Sequence, residues 1–586
     1  MKLKYLISCA AIGSLCLASC SDQMDYNEFR VQDEEFVKRD FLNVGKITTH
    51  IYRDLDYDLG QMYSGASLCS ATDEAVYSHQ GNNIESYFNG AWSSTNANAT
   101  IWSSSWDGIA YCNLFLDEYT GLTFPDHTQE KNYQDNMIKY NNYQWEVRFM
   151  RAYFYFRLVR QYGGVPLLTH YLTADETNNA PRATADEIFN FIDSECDAIK
   201  DEIIKDYSGA YVSLENETGR VNNLGVLALR ARAALYHASP LFTREKSDAE
   251  KKELWRLAAL RSKECIDECR KRNMRLANSY ESLFLYNNWS QADPTKEIIF
   301  ARRVDDGSNN GNMKNLAYEK YNFPVGMANG GGGNCPTENL VSAYEMTNGL
   351  PIDDPASRYD PQNPYANRDL RLAATVAVNG ERWHTWLPND VLETWYGGAN
   401  SRSVTYGTPT GYYLKKYVDG AAKISGTGQT NNTHTWILFR LGSVYLDYAE
   451  AMLNYTGSGY ATEGELSMSA ADAINTVRTR AKLPNLPTGL SFDDFEKRYE
   501  NERFVELAFE GHRIYDVRRW MKAPQYFVNV KVMEITKNAD ESFTFKPVTN
   551  PSYITRRSWA GDHQYLWPIP QDELLKSGSM TQNPGW

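Results

Sequence analysis

The stretch QWEVRFMRAYFYFRLVRQY, residues 144–162, sets the fold class. Trp145, Phe149, Ala152, Phe156 and Val159 recur at helical spacing and form one face, with Arg148, Arg151 and Arg160 elsewhere on the cylinder. Gly163-Gly164-Val165-Pro166 stops the helix, because proline disfavours helical geometry in the residue before it. Working outward, further helices are expected over about 106–120, from Thr184 (with Glu187 completing a capping box), and over 223–239, 251–272, 434–455, 468–482 and 492–511. Ala228, Ala231, Ala234 and Ala238 in one, and Ala449 and Ala451 in another, let neighbouring helices approach closely. Paired helices of this kind suggest tetratricopeptide-like hairpins, although no exact repeat period is visible. Between about 280 and 430 the pattern breaks into Gly, Pro, Asn and aromatic residues. Asn329-Gly330-Gly331-Gly332-Gly333-Asn334 reads there as a flexible loop, and Glu297–Phe300 and Leu372–Val378 as short strand-like pieces. The chain is therefore a helical scaffold carrying a large irregular middle, and loops on a rigid scaffold are where binding residues lie.

Composition narrows the function. The 586 residues carry 60 Lys+Arg against 74 Asp+Glu, a formal charge of −14, which disfavours nucleic acid and anionic lipid surfaces as main partners. Forty Tyr and fourteen Trp exceed the ordinary needs of a core and suit the binding of flat apolar ligand faces. Lys2 and Lys4 precede an apolar stretch from Tyr5 to about Leu17, too short to span a bilayer and laid out as a secretory signal. It ends Leu17-Ala18-Ser19-Cys20, which resembles the bacterial lipobox, so residues 1–19 are expected to be removed and Cys20 to carry lipid. Two or three acyl chains give stable anchoring where one does not. The following Ser21-Asp22-Gln23-Met24-Asp25 is similar to the acidic tag that sends such lipoproteins to the cell exterior. Of the other cysteines, Cys265 and Cys269 are four apart on a helix, without the second pair a zinc site needs, and read as buried thiols.

The usual catalytic signatures are missing: no H-E-x-x-H, no G-x-S-x-G and no Walker A loop. Asp54-Leu55-Asp56-Tyr57-Asp58 resembles the opening of a calcium loop, but Leu59 replaces the turn glycine and Gly65 the closing glutamate, favouring a helical or solvated acidic stretch. Glu506, Glu510, Arg513, Asp516, Arg518 and Arg519 read as structural ion pairs rather than acid/base machinery. No metal or cofactor is expected.

Several stretches resemble the SusD/RagB family of outer-membrane nutrient-binding lipoproteins. They are Arg148–Tyr155 followed by Tyr162–Leu167 and Pro181–Thr184, Pro336–Leu340 with Tyr344-Glu345-Met346 and Gly349, and Asn367–Arg371. Arg440-Leu441 with Ala449-Glu450-Ala451, Ala473–Arg478, Glu502-Arg503 through Glu510–Arg513, and Asp516–Trp520 continue the series. The chain closes on Leu566–Pro570 and Gln582–Trp586. The resemblance implies a mostly α, SusD-like fold in residues 20–586. Four tetratricopeptide-like helix pairs (scaffold about 40–275 and 434–520) would support an irregular ligand-binding insertion with short strands (about 280–430), followed by a C-terminal tail over 521–586. It also implies a partner, a TonB-dependent SusC-like outer-membrane transporter, to which the lipoprotein delivers captured glycan. Members are binding proteins, not enzymes.

Sugar rings present C–H patches that an aromatic ring covers, while amide, carboxylate or guanidinium groups meet the hydroxyls. Trp92, Trp289 and Tyr321 are the expected stacking platforms, and Asn83, Asn288 and Arg302 the hydroxyl partners. Tyr87, Asn89, Asp73 and Glu74 stand near the first of these, and Tyr286 and Asn287 near the second. Trp383, Trp386 and Trp395 are reserve candidates, whereas Trp102 and Trp106, four apart at a helix start, read as core. The acidic balance favours neutral oligosaccharide, since sulfated glycans would recruit a basic groove. Rival readings are capture of peptides on the same fold, as in the RagB branch, a surface glycoside hydrolase, and a structural helical-repeat adaptor.

Overall fold

A computed structural model describes residues 34–60, 62–207, 217–285, 288–303, 316–382, 391–427 and 434–586. Cys20, Tyr286, Asn287, Trp383 and Trp386 lie outside the described residues. The longer helices are α1 (Phe41–Tyr52), α2 (Thr100–Glu118), α3 (Tyr133–Tyr162), α4 (Ala185–Ile199), α5 (Asn223–Ala238), α6 (Asp248–Lys271), α7 (Leu441–Thr456), α8 (Ala470–Arg480) and α9 (Phe492–Glu506). The stretch 144–162 is thus the C-terminal part of a 30-residue helix. Phe149, Ala152, Phe156 and Val159 are buried as their spacing requires, but Arg151 and Arg157 are buried too. Their guanidinium groups are satisfied internally: Arg151 donates to Asn113 Oδ1 (2.9 Å) and the Thr169 carbonyl (2.8 Å), and Arg157 to the Asp54 carbonyl (2.6 Å). Burying such cations requires that pairing.

Helix α3 packs on α1, α2 and α4. The stack continues α4 on α5, α5 on α6, α6 on α7, and α7 on α8 and α9. Small residues make the seams, with Ala228, Ala231, Ala449 and Ala451 essentially inaccessible. The Thr184–Glu187 capping box is present at the start of α4, and Ser247–Glu250 makes a second at α6. Because α6 precedes the irregular middle and α7 follows it, the insertion leaves and rejoins the scaffold without interrupting the stack. The mostly helical class is what the chain adopts, and this packing order is consistent with tetratricopeptide-like pairs. Among the described residues no helix is long and apolar enough to cross a membrane, and the six described cysteines are buried free thiols.

The strands are short: β1 (Ala75–Tyr77), β2 (Ile298–Arg302), β3 (Asn334–Pro336), β4 (Val376–Ala377), β5 (Tyr413–Leu414), β6 (Trp436–Arg440), β7 (Lys531–Lys537) and β8 (Phe543–Thr549). They pair antiparallel in twos, β1 with β3, β2 with β6, β4 with β5 and β7 with β8. Two expectations need correction here. Residues 436–440 are a fully buried strand and not the start of a helix, because a short apolar run buried on both faces carries no period to tell the two apart. Leu370–Thr375 is a helical turn, and only Val376–Ala377 of the expected 372–378 strand is extended.

A buried ion network fastens the insertion to the scaffold. Arg440 reaches Glu297 (2.8 Å), Glu506 (2.7 Å) and Glu510 (2.7 Å), while Arg371 reaches Asp369 (2.7 Å), Glu502 (2.6 Å) and Glu506 (2.8 Å). Burial pushes the Glu506 carboxyl up, but Arg480, Arg440 and Arg371 outweigh it and hold the group well below the usual carboxylate range. The acidic and basic cluster at 506–519 is therefore structural, as read, though its partners are mostly distant in sequence. Arg513, for example, pairs with Asp73 (2.8 Å). The Asp54–Asp58 stretch is neither helical nor solvated. Asp56 is clamped by Arg157 (2.8 Å) and Arg160 (2.7 Å), and Asp58 accepts from the Leu68 N–H (2.8 Å).

Candidate functional site

Strand β1 brings the segment 75–83 against the glycine run of the insertion. The Ser78 N–H donates to the Gly333 carbonyl (2.9 Å), and His79 Nε2 lies 2.6 Å from the Gly331 carbonyl, which fixes Nε2 as the protonated nitrogen. The run is thus not the flexible loop expected. Gly332 has φ +88°, and a Cβ there would lie 2.2 Å from the Tyr406 carbonyl, so only glycine lets the chains approach this closely.

Around this junction the aromatic side chains form a row. Tyr77 stacks on His79 (ring centroids 5.1 Å apart, 23° between planes), and His79 stacks on Tyr406 at 3.8 Å and 2°. Tyr321 lies over Gly65, where a Cβ would come within 2.9 Å of its ring and 2.3 Å of the Tyr77 hydroxyl. On the other side Gln80 donates to the Tyr553 carbonyl (2.6 Å). The Arg402 guanidinium sits between Tyr553 and Tyr396, at 4.0 and 4.4 Å from their rings. Tyr77 is buried, whereas Tyr321, Tyr396 and Tyr406 are 36%, 61% and 52% exposed. The stacked base thus presents the Tyr406 ring, with Tyr321 beside it over Gly65 and Tyr396 held at Arg402, three exposed phenol rings of the kind that cover flat C–H faces. Glu534 at this row is already taken, lying 3.5 Å from Arg402 and accepting from the Tyr553 hydroxyl (3.1 Å). Burial raises the Tyr553 hydroxyl to about 12, which keeps it a neutral donor.

A second surface surrounds Trp289, 44% exposed. The Arg303 guanidinium lies 5.3 Å from its ring and donates to Thr218 Oγ1 (3.1 Å). Both line a groove of about 490 Å³ that also includes Lys296, Thr295, Arg220 and Arg272.

Of the expected site residues, Tyr321, Trp289 and Asn83 are exposed, but they belong to different places: Tyr321 to the tyrosine row, Trp289 to the groove, and Asn83 to a turn just after Gln80. Three expectations are corrected. Trp92 is a core residue, packed edge-on against Tyr87, Trp567 and Trp586 at 4.9–5.6 Å, and offers no face to a ligand. Asn288 is fully buried and donates to the Leu283 carbonyl, because the 3₁₀ turn that turns Trp289 outward turns its neighbour inward. Arg302 is spent on the Leu55 carbonyl (2.6 Å) and the Tyr57 ring (5.2 Å), while the next residue, Arg303, reaches the groove. Asp73 and Glu74 are likewise buried in the fold. Trp395 is half-buried, with Lys537 Nζ 5.4 Å from its ring, and Trp102 and Trp106 form a T-shaped pair at 5.7 Å beside α3. Sequence reasoning passed over Tyr396, Tyr406, Arg402 and Arg303. The tyrosines lie in a Gly- and Ser-rich stretch, 396–407, whose pairing with residues 77–80 is not local in sequence.

Two family models match the chain: "SusD family" over residues 296–586, and "Starch-binding associating with outer membrane" over residues 28–222. A SusD-like protein of Bacteroides ovatus is 24% identical over 469 residues, covering 75% of this chain and 73% of its own. Among solved structures, a SusD-like protein of Bacteroides fragilis superposes with a TM-score of 0.73 at 23% identity, covering 94% of this chain and 98% of the other. A SusD-like carbohydrate binding protein of the same organism superposes with a TM-score of 0.70 at 22% identity, covering 92% and 99%. The two models together span most of the chain, the irregular middle included, and with the shared fold they place this chain in the SusD/RagB family.

Proposed function

We propose that this protein is a surface lipoprotein that captures oligosaccharides and passes them, chemically unaltered, to a SusC-like TonB-dependent transporter. The observation that carries the reading is the row of exposed Tyr321, Tyr406 and Tyr396 on a base of stacked rings. Its nearby carboxylate, Glu534, is paired with Arg402, so the surface offers rings for hydroxylated, C–H-rich faces without a free carboxylate beside them. A family described as starch-binding and associating with the outer membrane supports the ligand class and the location. The structural relative described as carbohydrate binding points the same way. Trp289 is a further platform, and Asn83 a polar neighbour of the row.

Isothermal titration of the protein against plant and host oligosaccharides, with a peptide mixture alongside, tests the reading. Saccharide binding without product formation is expected, and binding of peptides alone contradicts it. The lipid at Cys20 is tested separately. Cys20→Ala should leave ligand affinity unchanged and remove the protein from the membrane fraction, and retention there at normal levels counts against lipidation.

A further inference from the structure

The two surfaces differ in charge. At the tyrosine row Arg402 is paired with Glu534. In the groove around Trp289 the lining cations are Lys205, Arg220, Arg272, Lys296 and Arg303, and Asp206 is the one acid among the described lining residues. Three of these cations have partners: Lys205 with Asp201, Arg220 with Glu146 and Glu217, and Arg272 with Glu268. Lys296 and Arg303 have no carboxylate partner among the described residues. Both are exposed, and Arg303 is held beside the indole by Thr218. Several neutral polar groups of the groove are engaged by the fold. Asn222 Oδ1 accepts from the Leu224 N–H (3.1 Å), Thr295 donates to the Gln291 carbonyl (2.8 Å), and Thr218 accepts from Arg303. What the groove still offers is an apolar ring face and uncompensated positive charge, in a chain whose formal charge is −14.

We infer that the Trp289 groove binds an acidic sugar unit, a uronate or a sulfated residue, with the pyranose ring on the indole and the anionic group on Arg303 and Lys296. A volume of about 490 Å³ falls in the range of small-ligand sites. The planar guanidinium suits a carboxylate or a sulfate, both of which accept paired hydrogen bonds. The net negative charge of the chain does not oppose this, because exposed charges beyond roughly 10 Å are screened at ordinary ionic strength while the groove's own cations act at contact. This inference rests on the proposed saccharide-binding function and names the chemistry of one part of the ligand.

The test is titration of the full-length lipoprotein in detergent with three oligosaccharides of equal length: an oligogalacturonide, a sulfated chondroitin fragment and a neutral laminarin fragment. At least one acidic oligosaccharide should bind about tenfold or more tightly than the neutral one at low salt and lose that advantage as sodium chloride is added. Comparison of the two acidic arms identifies the carboxylate or the sulfate as the group recognised. The double substitution Arg303→Gln with Lys296→Gln should abolish the advantage of the acidic oligosaccharide over the neutral one and its salt dependence, with the thermal midpoint unchanged. Should that variant not fold, the salt dependence of the unaltered protein decides. Neutral binding with no acidic preference, or an acidic preference untouched by the substitutions, overturns the inference and leaves the broader reading standing. Absence of binding to all three overturns both.

Discussion

Trp92 and Trp289 are the same residue type in similarly amide-rich loops, and the fold uses them in opposite ways. Trp92 closes a buried cluster with Tyr87, Trp567 and Trp586, tying a loop before α2 to the last residue of the chain. Trp289 stands exposed on a turn, with the Arg303 guanidinium beside its ring. The tyrosines divide in the same manner: Tyr77 is buried as the foundation of a row in which Tyr406 and Tyr321 are exposed. An aromatic-rich composition therefore supplies both the core and the recognition surface, and burial alone separates them.

The largest expected effect comes from Trp92→Ala. Removal of a buried indole from a packed cluster should cost about 3–5 kcal/mol of folding stability, read by chemical denaturation. A loss below about 1 kcal/mol would break the contrast by showing that Trp92 is not core. Next is Glu74, which precedes the strand carrying Tyr77. Burial, followed by the Phe509 N–H and the neighbouring charges, leaves its carboxyl raised from 4.5 to about 7. The folded protein thus holds a proton that the unfolded chain has released, and this group's contribution to stability falls as pH rises from about 4.5 to about 7. Glu74→Gln should remove that loss, a relative gain of about 3 kcal/mol above pH 7, measured as the pH dependence of the difference between the two proteins. A difference that does not change with pH would contradict it. For the exposed rings the effects move to binding. Tyr321→Ala with Tyr406→Ala should weaken saccharide affinity by about 2 kcal/mol with folding intact, and Trp289→Ala by about 1 kcal/mol or more, each checked by titration. A fall in stability instead of affinity would assign those rings to the core.

How far the sequence could be read follows from the range of the interactions involved. Helix α3 was legible because its face repeats within the chain, and the Thr184 cap because Thr and Glu three residues apart satisfy each other's backbone groups. Strand β6 was not, since Trp436-Ile437-Leu438-Phe439 is apolar on both sides. Among the site residues, the exposure of Trp289 and Tyr321 fitted an aromatic-plus-amide pattern. Asn288 shared that pattern and turned inward, as did Arg302 on its strand, each one residue from an outward neighbour. Tyr406 became part of the row through His79, 327 positions earlier, and no local pattern reports such a pairing. The glycine run read as slack because glycine is permissive; its positive φ angles in fact serve a crowded junction.

The central claim is that the exposed rings of the irregular middle hold saccharide. A crystal structure of the protein with its tightest-binding oligosaccharide tests it most directly. Sugar rings lying against Tyr321 and Tyr406, or against Trp289, are the predicted result; an intact ligand seated elsewhere, with all three rings bare, would contradict the account.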